Sequence, residues 1–140
     1  MKKVVLISCA SKKLSKKAEA RDLYISPLFK YNIRYAKSLN PEKIFILSAK
    51  YGLLELNEEV EPYNQTLNKM GNEEIVKWAD EVINKLSKKT DLKKDEFTFL
   101  AGEKYRKFLI HHMSNYKIPL EGLGIGKQLK YLKERVKDEQ

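Results

Sequence analysis

The chain has 140 residues, 28 Lys and Arg against 19 Asp and Glu, a formal charge of +9 and a single cysteine, Cys9. That length suits one domain spanning 1–140 and buries roughly two-thirds of the unfolded surface, so the fold needs no disulfide, and one cysteine cannot form one within the chain. No apolar run approaches the roughly 20 residues of a membrane span, and Met1-Lys2-Lys3 before the short run Val4–Ile7 is too brief for a secretory signal; a cytoplasmic protein with no membrane partner is expected. The basic excess points to a nucleotide-like or phosphate-bearing small molecule, with nucleic acid as a further partner. The alternative is lysine used only for solubility, beside acids as in Lys133-Glu134 and Lys137-Asp138.

Lys3–Ser8, centred on Val4-Val5-Leu6-Ile7, predicts a buried strand, and the polar stretch Cys9–Ala20 a loop. Ser26-Pro27 is a helix start, with serine as N-cap and proline at the first helical position. Leu28, Tyr31, Asn32, Tyr35, Ala36 and Leu39 follow at helical spacing, and Asn40-Pro41 ends the helix. Lys43–Ser48 predicts a second strand. The connection Glu55–Met70 is too long to be slack and is expected to be functional or partly ordered. Asn72 is read as the cap of a helix whose stripe is Ile75, Trp78, Ala79, Val82, Ile83 and Leu86, closed by Lys88-Lys89. Lys93-Lys94-Asp95 reads as a surface turn and Glu96–Leu100 as a third strand. A helix is expected over 103–113, a short fourth strand over 116–120, a turn at Gly122–Gly126, and a last basic helix with Leu129, Leu132 and Val136 inward. Strands alternating with helices predict an α/β fold: a three-layer sandwich around a mainly parallel sheet of about four strands, Rossmann-like but with no dinucleotide fingerprint. Right-handed crossovers then bring the C-terminal strand ends to one rim, where ligands bind in open α/β sheets.

Three segments supply that rim. After the first strand come Ser8, Cys9, Ser11, Lys12 and Lys13, whose amides and ammonium groups suit a phosphate or carboxylate; a solvated loop is the alternative. Cys9 is a candidate nucleophile, against the plainer role of strand-end filler. Arg21, Asp22 and Tyr24 precede the first helix, and Arg21 offers either a planar fork to an anion or a salt bridge to Asp22 or Glu19. After the second strand come Ser48, Lys50, Tyr51 and Gly52, with Gly52 in a tight turn. Glu61 and Tyr63 flank Pro62, which places a carboxylate beside a phenol as a candidate base or ribose contact; capping a neighbouring helix is the alternative. Gly102 opens the helix that carries Tyr105. Gly122, Gly124 and Gly126 have the wrong spacing for a dinucleotide loop, and there is no Walker loop. The neighbouring His111 and His112 point different ways on a helix, so no metal or other cofactor is expected.

These motifs resemble, in order and over nearly the whole chain, DUF6884, an uncharacterised family of small bacterial, archaeal and phage proteins. The resemblance is carried by Ser8-Cys9 with Ser11-Lys12-Lys13, by Arg21–Tyr24 with Ser26–Phe29, by Leu47–Leu53 and Glu61-Pro62-Tyr63, and by Ala101-Gly102 with Tyr105 and Gly122–Gly126. The middle is also similar to the YaaA peroxide-stress family: Leu47–Gly52, Pro62-Tyr63, Trp78 and Leu100–Tyr105 match its Leu-Ser-x-x-Tyr-Gly strand end, Pro-Tyr turn, Trp-bearing helix and final Tyr. That likeness implies DNA binding and oxidative stress, and a distant one to base-processing folds implies glycosylase-type chemistry. The expectation is an enzyme acting on a nucleoside, nucleotide or base, with N-glycosidic chemistry as one form. Glu61 and Cys9 are its catalytic candidates, Tyr51, Tyr63 and Tyr105 its stacking surfaces, and Lys12, Lys13, Arg21 and Lys50 its phosphate contacts. The alternative is a non-catalytic DNA-binding or ligand-sensing protein of the YaaA type.

Overall fold

The computed structural model describes residues 2–136; Met1 and residues 137–140, including the Lys137-Asp138 pair, lie outside the described residues. Among the described residues, seven strands form two sheets. β1 (Lys3–Ser8), β3 (Lys43–Ser48), β6 (Glu96–Leu100) and β7 (Asn115–Lys117) run parallel, and β4 (Gly52–Glu55) adds an antiparallel edge, giving the order β4-β3-β1-β6-β7. β1 lies at the centre, with Leu6 opposite Phe45 on one side and Phe99 on the other. A strand with parallel neighbours and helices on both faces is apolar throughout, which is why Val4–Ile7 has no polar alternation.

Helix α2 (Pro27–Ser38) crosses from β1 to β3. Ser26 caps it, its hydroxyl accepting the Phe29 N–H at 3.2 Å. Leu39 closes it, and Asn40 follows in the left-handed region at φ 51°. Helix α3 (Asn72–Ser87) carries the chain from β4 back to β6 on the other side of β1, and helix α5 (Ile125–Val136) packs on α2. The result is a three-layer α/β sandwich, as the alternation predicts. The chain leaves β1 towards β3 and returns to β6, so the strand order reverses between β1 and β6; at such a point the crossing loops diverge and leave a crevice. No helix among the described residues is long and apolar enough to cross a membrane.

Several local expectations are corrected. The sheet has five strands, because the chain turns at Ala49–Tyr51 and pairs back as β4, with Ser48 opposite Gly52. Gly52 sits at φ +74°. Gly52→Ala should cost about 1–2 kcal/mol in urea unfolding, from the left-handed backbone rather than from crowding, because a Cβ there would meet Val82 Cγ2 only at 3.7 Å. Gly102→Ala, with φ −66° and nothing within 4 Å of the added carbon, should cost less, about 0.5 kcal/mol, because alanine is the poorer cap for the helix that follows.

The stretch after β1 is not all loop: it holds β2 (Ala18–Glu19) and α1 (Ala20–Leu23). β2 pairs antiparallel with β5 (Glu59–Val60), so the connections after β1 and β4 clasp each other. Gly71, not Asn72, caps α3, and Asn72 is its first residue. Asp95 is 5% exposed rather than on the surface, because its carboxylate accepts the Asp91 N–H at 2.8 Å and the Lys2 N–H at 3.2 Å. The helix expected over 103–113 is only α4 (Glu103–Arg106), followed by a 3-10 turn at Ile110–His112. Ile110 and the paired histidines are weak helix formers, and the chain must turn back there to lay β7 beside β6. β7 accordingly starts at Asn115 rather than 116 and ends at Lys117. The turn expected over 122–126 stops at Leu123, and Ile125 and Gly126 open α5.

Candidate functional site

The rim of the sheet carries two hollows, one on each side of the diverging ends of β1 and β6. The larger, of about 440 Å³, is lined by Cys9, Ala10, Ser11, Lys13, the segment Asn64-Gln65-Thr66, Asn68, Lys69 and Tyr105. The ladder continues past β1, since the Cys9 N–H donates to Leu47 O at 2.9 Å, and this fixes the thiol at the strand end. Cys9 Sγ lies 3.4 Å from the Tyr105 hydroxyl. Tyr105 is held from behind by Trp78, whose ring meets it edge-on at 5.7 Å and whose Nε1–H donates to Ser48 O at 2.8 Å. Burial, followed by the negative charge of a Cys9 thiolate, raises the Tyr105 pKa, while Thr66 and the Leu67 backbone offset this in part.

Behind the hollow lies a buried chain of hydroxyls. Ser48 Oγ–H donates to Tyr63 Oη at 2.7 Å, Tyr63 and Tyr24 hydroxyls share a bond of 2.6 Å, and the Tyr51 N–H donates to Ser48 Oγ at 3.0 Å. Three hydroxyl protons thus meet only two bonds, and the surplus proton sits at the Tyr24–Tyr63 end. Burial pushes Tyr24 up to about 12, and Tyr63 further in the same direction. Lys13 Nζ stands 4.3 Å from the Tyr63 ring centre and 5.7 Å from that of Tyr24. No carboxylate among the described residues pairs with it. Burial pushes the Lys13 ammonium below its ordinary value, and negative charge on Cys9 pushes it back up. A shallower concavity of about 350 Å³ runs from Ser11 and Lys13 to Pro62, Tyr63 and Asn64.

The second hollow, of about 280 Å³, is lined by Ser8, Leu100–Glu103, Arg106, Leu28 and Asn32 of α2, Gln128 of α5 and the loop that includes Glu121–Leu123.

The fold therefore gathers Cys9, Ser11, Lys13 and Tyr105 into one hollow, with Tyr24, Ser48 and Tyr63 as its buried backing and the half-buried Tyr51 beside them, and puts Ser8 and Gly102 in the other. The Glu61 side chain is exposed and lines neither; only its carbonyl takes part, accepting the Tyr51 hydroxyl at 3.1 Å. Arg21 makes the salt bridge that sequence left open, 2.8 Å from Glu19. Asp22 and Lys12 are exposed away from both hollows. Lys50 lies out on the β3–β4 turn, 5.3 Å from the Tyr51 ring centre. Gly124 is exposed beside the second hollow and accepts the Gln128 N–H at 2.9 Å. Sequence reasoning did not find the polar run Asn64–Thr66 with Asn68 and Lys69, nor Arg106 and Gln128. Asn32 carried a legible signal, as the lone amide in the inward stripe of α2. Among the described residues no group of three or more His, Cys, Asp or Glu comes together as a metal would require.

No curated protein and no solved structure matches the chain. A family model does, over residues 4–134, nearly the whole length and every rim segment described above. The chain belongs to DUF6884, a family of unknown function.

Proposed function

We propose that the chain is a small enzyme acting on a nucleoside, nucleotide or base, and that it does so in the hollow floored by Cys9 and Tyr105. The observation that carries this reading is what the hollow contains: a thiol against a phenol, two lysines, and a ring of amide and hydroxyl side chains, at the point where the strand order reverses. Lys13 and Lys69 suit a phosphate, and Asn64, Gln65 and Asn68 offer donors and acceptors to a ribose or base edge. Cys9 is the group placed to react, in preference to Glu61. Its sulfur adds to an electrophilic carbon of the ligand, the C=N or C=O electron pair moves to the heteroatom, and that atom takes up the thiol's proton beside the Tyr105 hydroxyl. Chemistry at the N-glycosidic bond would call on a carboxylate at the reacting carbon, and none lines this hollow. A single free cysteine fits a reducing, cytoplasmic setting.

A thermal-shift screen with nucleosides, nucleotides, sugar phosphates and oligonucleotides tests this. A phosphorylated ligand at about 100-fold its Kd should stabilise the protein by about 2.7 kcal/mol. Lys13→Ala should weaken that shift about tenfold in affinity. Cys9→Ser should keep the shift and lose turnover by about 10³-fold. If no compound in the panel moves the wild-type melting temperature, the reading fails.

A second reading, a DNA-binding or ligand-sensing protein without catalysis, is favoured by one observation. The α2–α5 layer carries Lys30, Arg34, Lys37, Lys127, Lys130, Lys133 and Arg135 against one acid, Glu134. Binding there would fall steeply with salt and ignore Cys9→Ser.

A further inference from the structure

The hollow between α2, α4 and α5 contains polar groups that the fold leaves unused. Asn32 is 5% exposed, and its Oδ1 is buried with no hydrogen-bond partner among the described residues. Arg106 lines the same hollow; its Nε is likewise buried without a partner, and its guanidinium forms no ion pair among the described residues. A buried acceptor and a buried donor left without partners, on two side chains that line one cavity, lower the stability of the empty protein, so the pattern calls for a ligand that draws them out and supplies the complements.

Those complements are an N–H and a hydrogen-bond acceptor on one small molecule. The edge of a nucleobase, or of a similar cyclic amide, carries both, and Asn and Arg side chains are the groups that read such edges in pairs of hydrogen bonds. Size agrees: about 280 Å³ lies at the bottom of the range of ligand pockets and suits one ring system rather than a whole nucleotide. Charge agrees too. Glu103 and Glu121 line this hollow and oppose a phosphate, whereas Lys13 and Lys69 line the other with no carboxylate beside them. The neighbours Ser8 and Cys9 line different hollows, so the two sites flank the same strand end.

We propose that the hollow at Asn32 and Arg106 is a subsite for the hydrogen-bonding edge of a single nucleobase or like cyclic amide. It rests on the nucleotide reading only for what occupies the neighbouring hollow; binding of a free base that depends on Asn32 and Arg106 is a property of this site alone. Adenine, guanine, cytosine and uracil, each titrated by calorimetry into the full chain, test it. At least one base should bind, and Asn32→Leu should weaken it at least tenfold while raising the melting temperature by about 3 °C, since the orphaned amide is gone and the γ-branched shape is kept. Arg106→Gln, at a partly exposed position where folding is not at stake, should weaken the same base about tenfold.

No binding of any base overturns the proposal. So does wild-type affinity in either variant, or a lower melting temperature for Asn32→Leu, which would mean that the amide serves the fold. Base binding that depends on Asn32, in a protein on which no phosphorylated ligand acts, would sustain the subsite and sink the Cys9 reading. Turnover that depends on Cys9, in a protein that binds no free base, would do the reverse.

Discussion

Tyr63→Phe should destabilise the protein by about 2–4 kcal/mol, and Tyr24→Phe by about 1 kcal/mol or less, although the two hydroxyls share one bond. Tyr63 is the middle of the chain. Without its oxygen, Ser48 Oγ–H loses its acceptor and the Tyr24 hydroxyl loses its partner, and Ser48 and Tyr24 are 0% and 1% exposed, so water replaces neither. Two stranded groups at about 1–3 kcal/mol each set the scale, which is a large part of a typical total of about 5–15 kcal/mol. Tyr24 is the end of the chain. Removing its hydroxyl leaves the Ser48–Tyr63 bond intact and takes away one proton together with one bond, so the surplus stays at one proton and no further group is stranded. The double variant should therefore cost less than the sum of the singles. Urea unfolding of the three variants measures this, and equal costs for the two single changes would refute the proton count.

The second large effect is at alkaline pH, where the protein should unfold cooperatively between about pH 11 and 12. In the unfolded chain a tyrosine ionises near pH 10. In the folded protein burial holds Tyr24 and Tyr35 up to about 12, with Tyr63 and Tyr105 raised as well. A raised phenol pKa means that the folded state keeps protons the unfolded state has lost. The stabilisation is fully present below pH 10 and is lost as pH rises through the folded value. For Tyr24 alone the two units amount to about 2–3 kcal/mol. With four such groups the slope approaches about 5 kcal/mol per pH unit once free tyrosine is ionised, enough to exhaust an ordinary stability within two units. Lys13 acts the other way at lower pH. Its value is depressed, so the folded state sheds its proton first, and stability rises slightly as pH climbs through that value towards 10.5. Melting temperature followed by circular dichroism from pH 8 to 12 should rise slightly, then collapse. Phenolate absorbance should show part of the eight tyrosines ionising only with unfolding. Smooth ionisation of all eight near pH 10 in a protein that stays folded would contradict the shielding of these four.

Much of this architecture is legible in short stretches of chain. Val4–Ile7 and Ile44–Leu47 are apolar without alternation because both faces of the sheet are covered, and Phe97–Leu100 departs from this only at Thr98, itself buried. Ser26-Pro27 starts α2 where it is expected to, and the handedness of parallel crossovers then fixes a single rim for Ser8, Ser48 and Leu100. The two-residue strands β2 and β5 left no trace, since two residues have no period and pair only because their loops meet. β4 was hidden because Gly52-Leu53-Leu54 continues an apolar run, and only the left-handed turn at Gly52 reverses it.

What sequence alone determined here is the layering and the rim, because apolar spacing and capping act between residues a few positions apart. Which rim side chains share a hollow was settled only in three dimensions. Cys9 meets Tyr105 across 96 positions, and Ser48 meets Tyr63 across 15. Glu61, on its proline turn, sends its carbonyl inward and leaves its carboxylate in solvent. Asn32 shows as a polar residue on an inward stripe, but its lack of a partner depends on α4 and α5, which arrive from 70 residues or more further along the chain. Burial is a property that each segment carries with it, whereas complementarity between side chains exists only after the segments have packed.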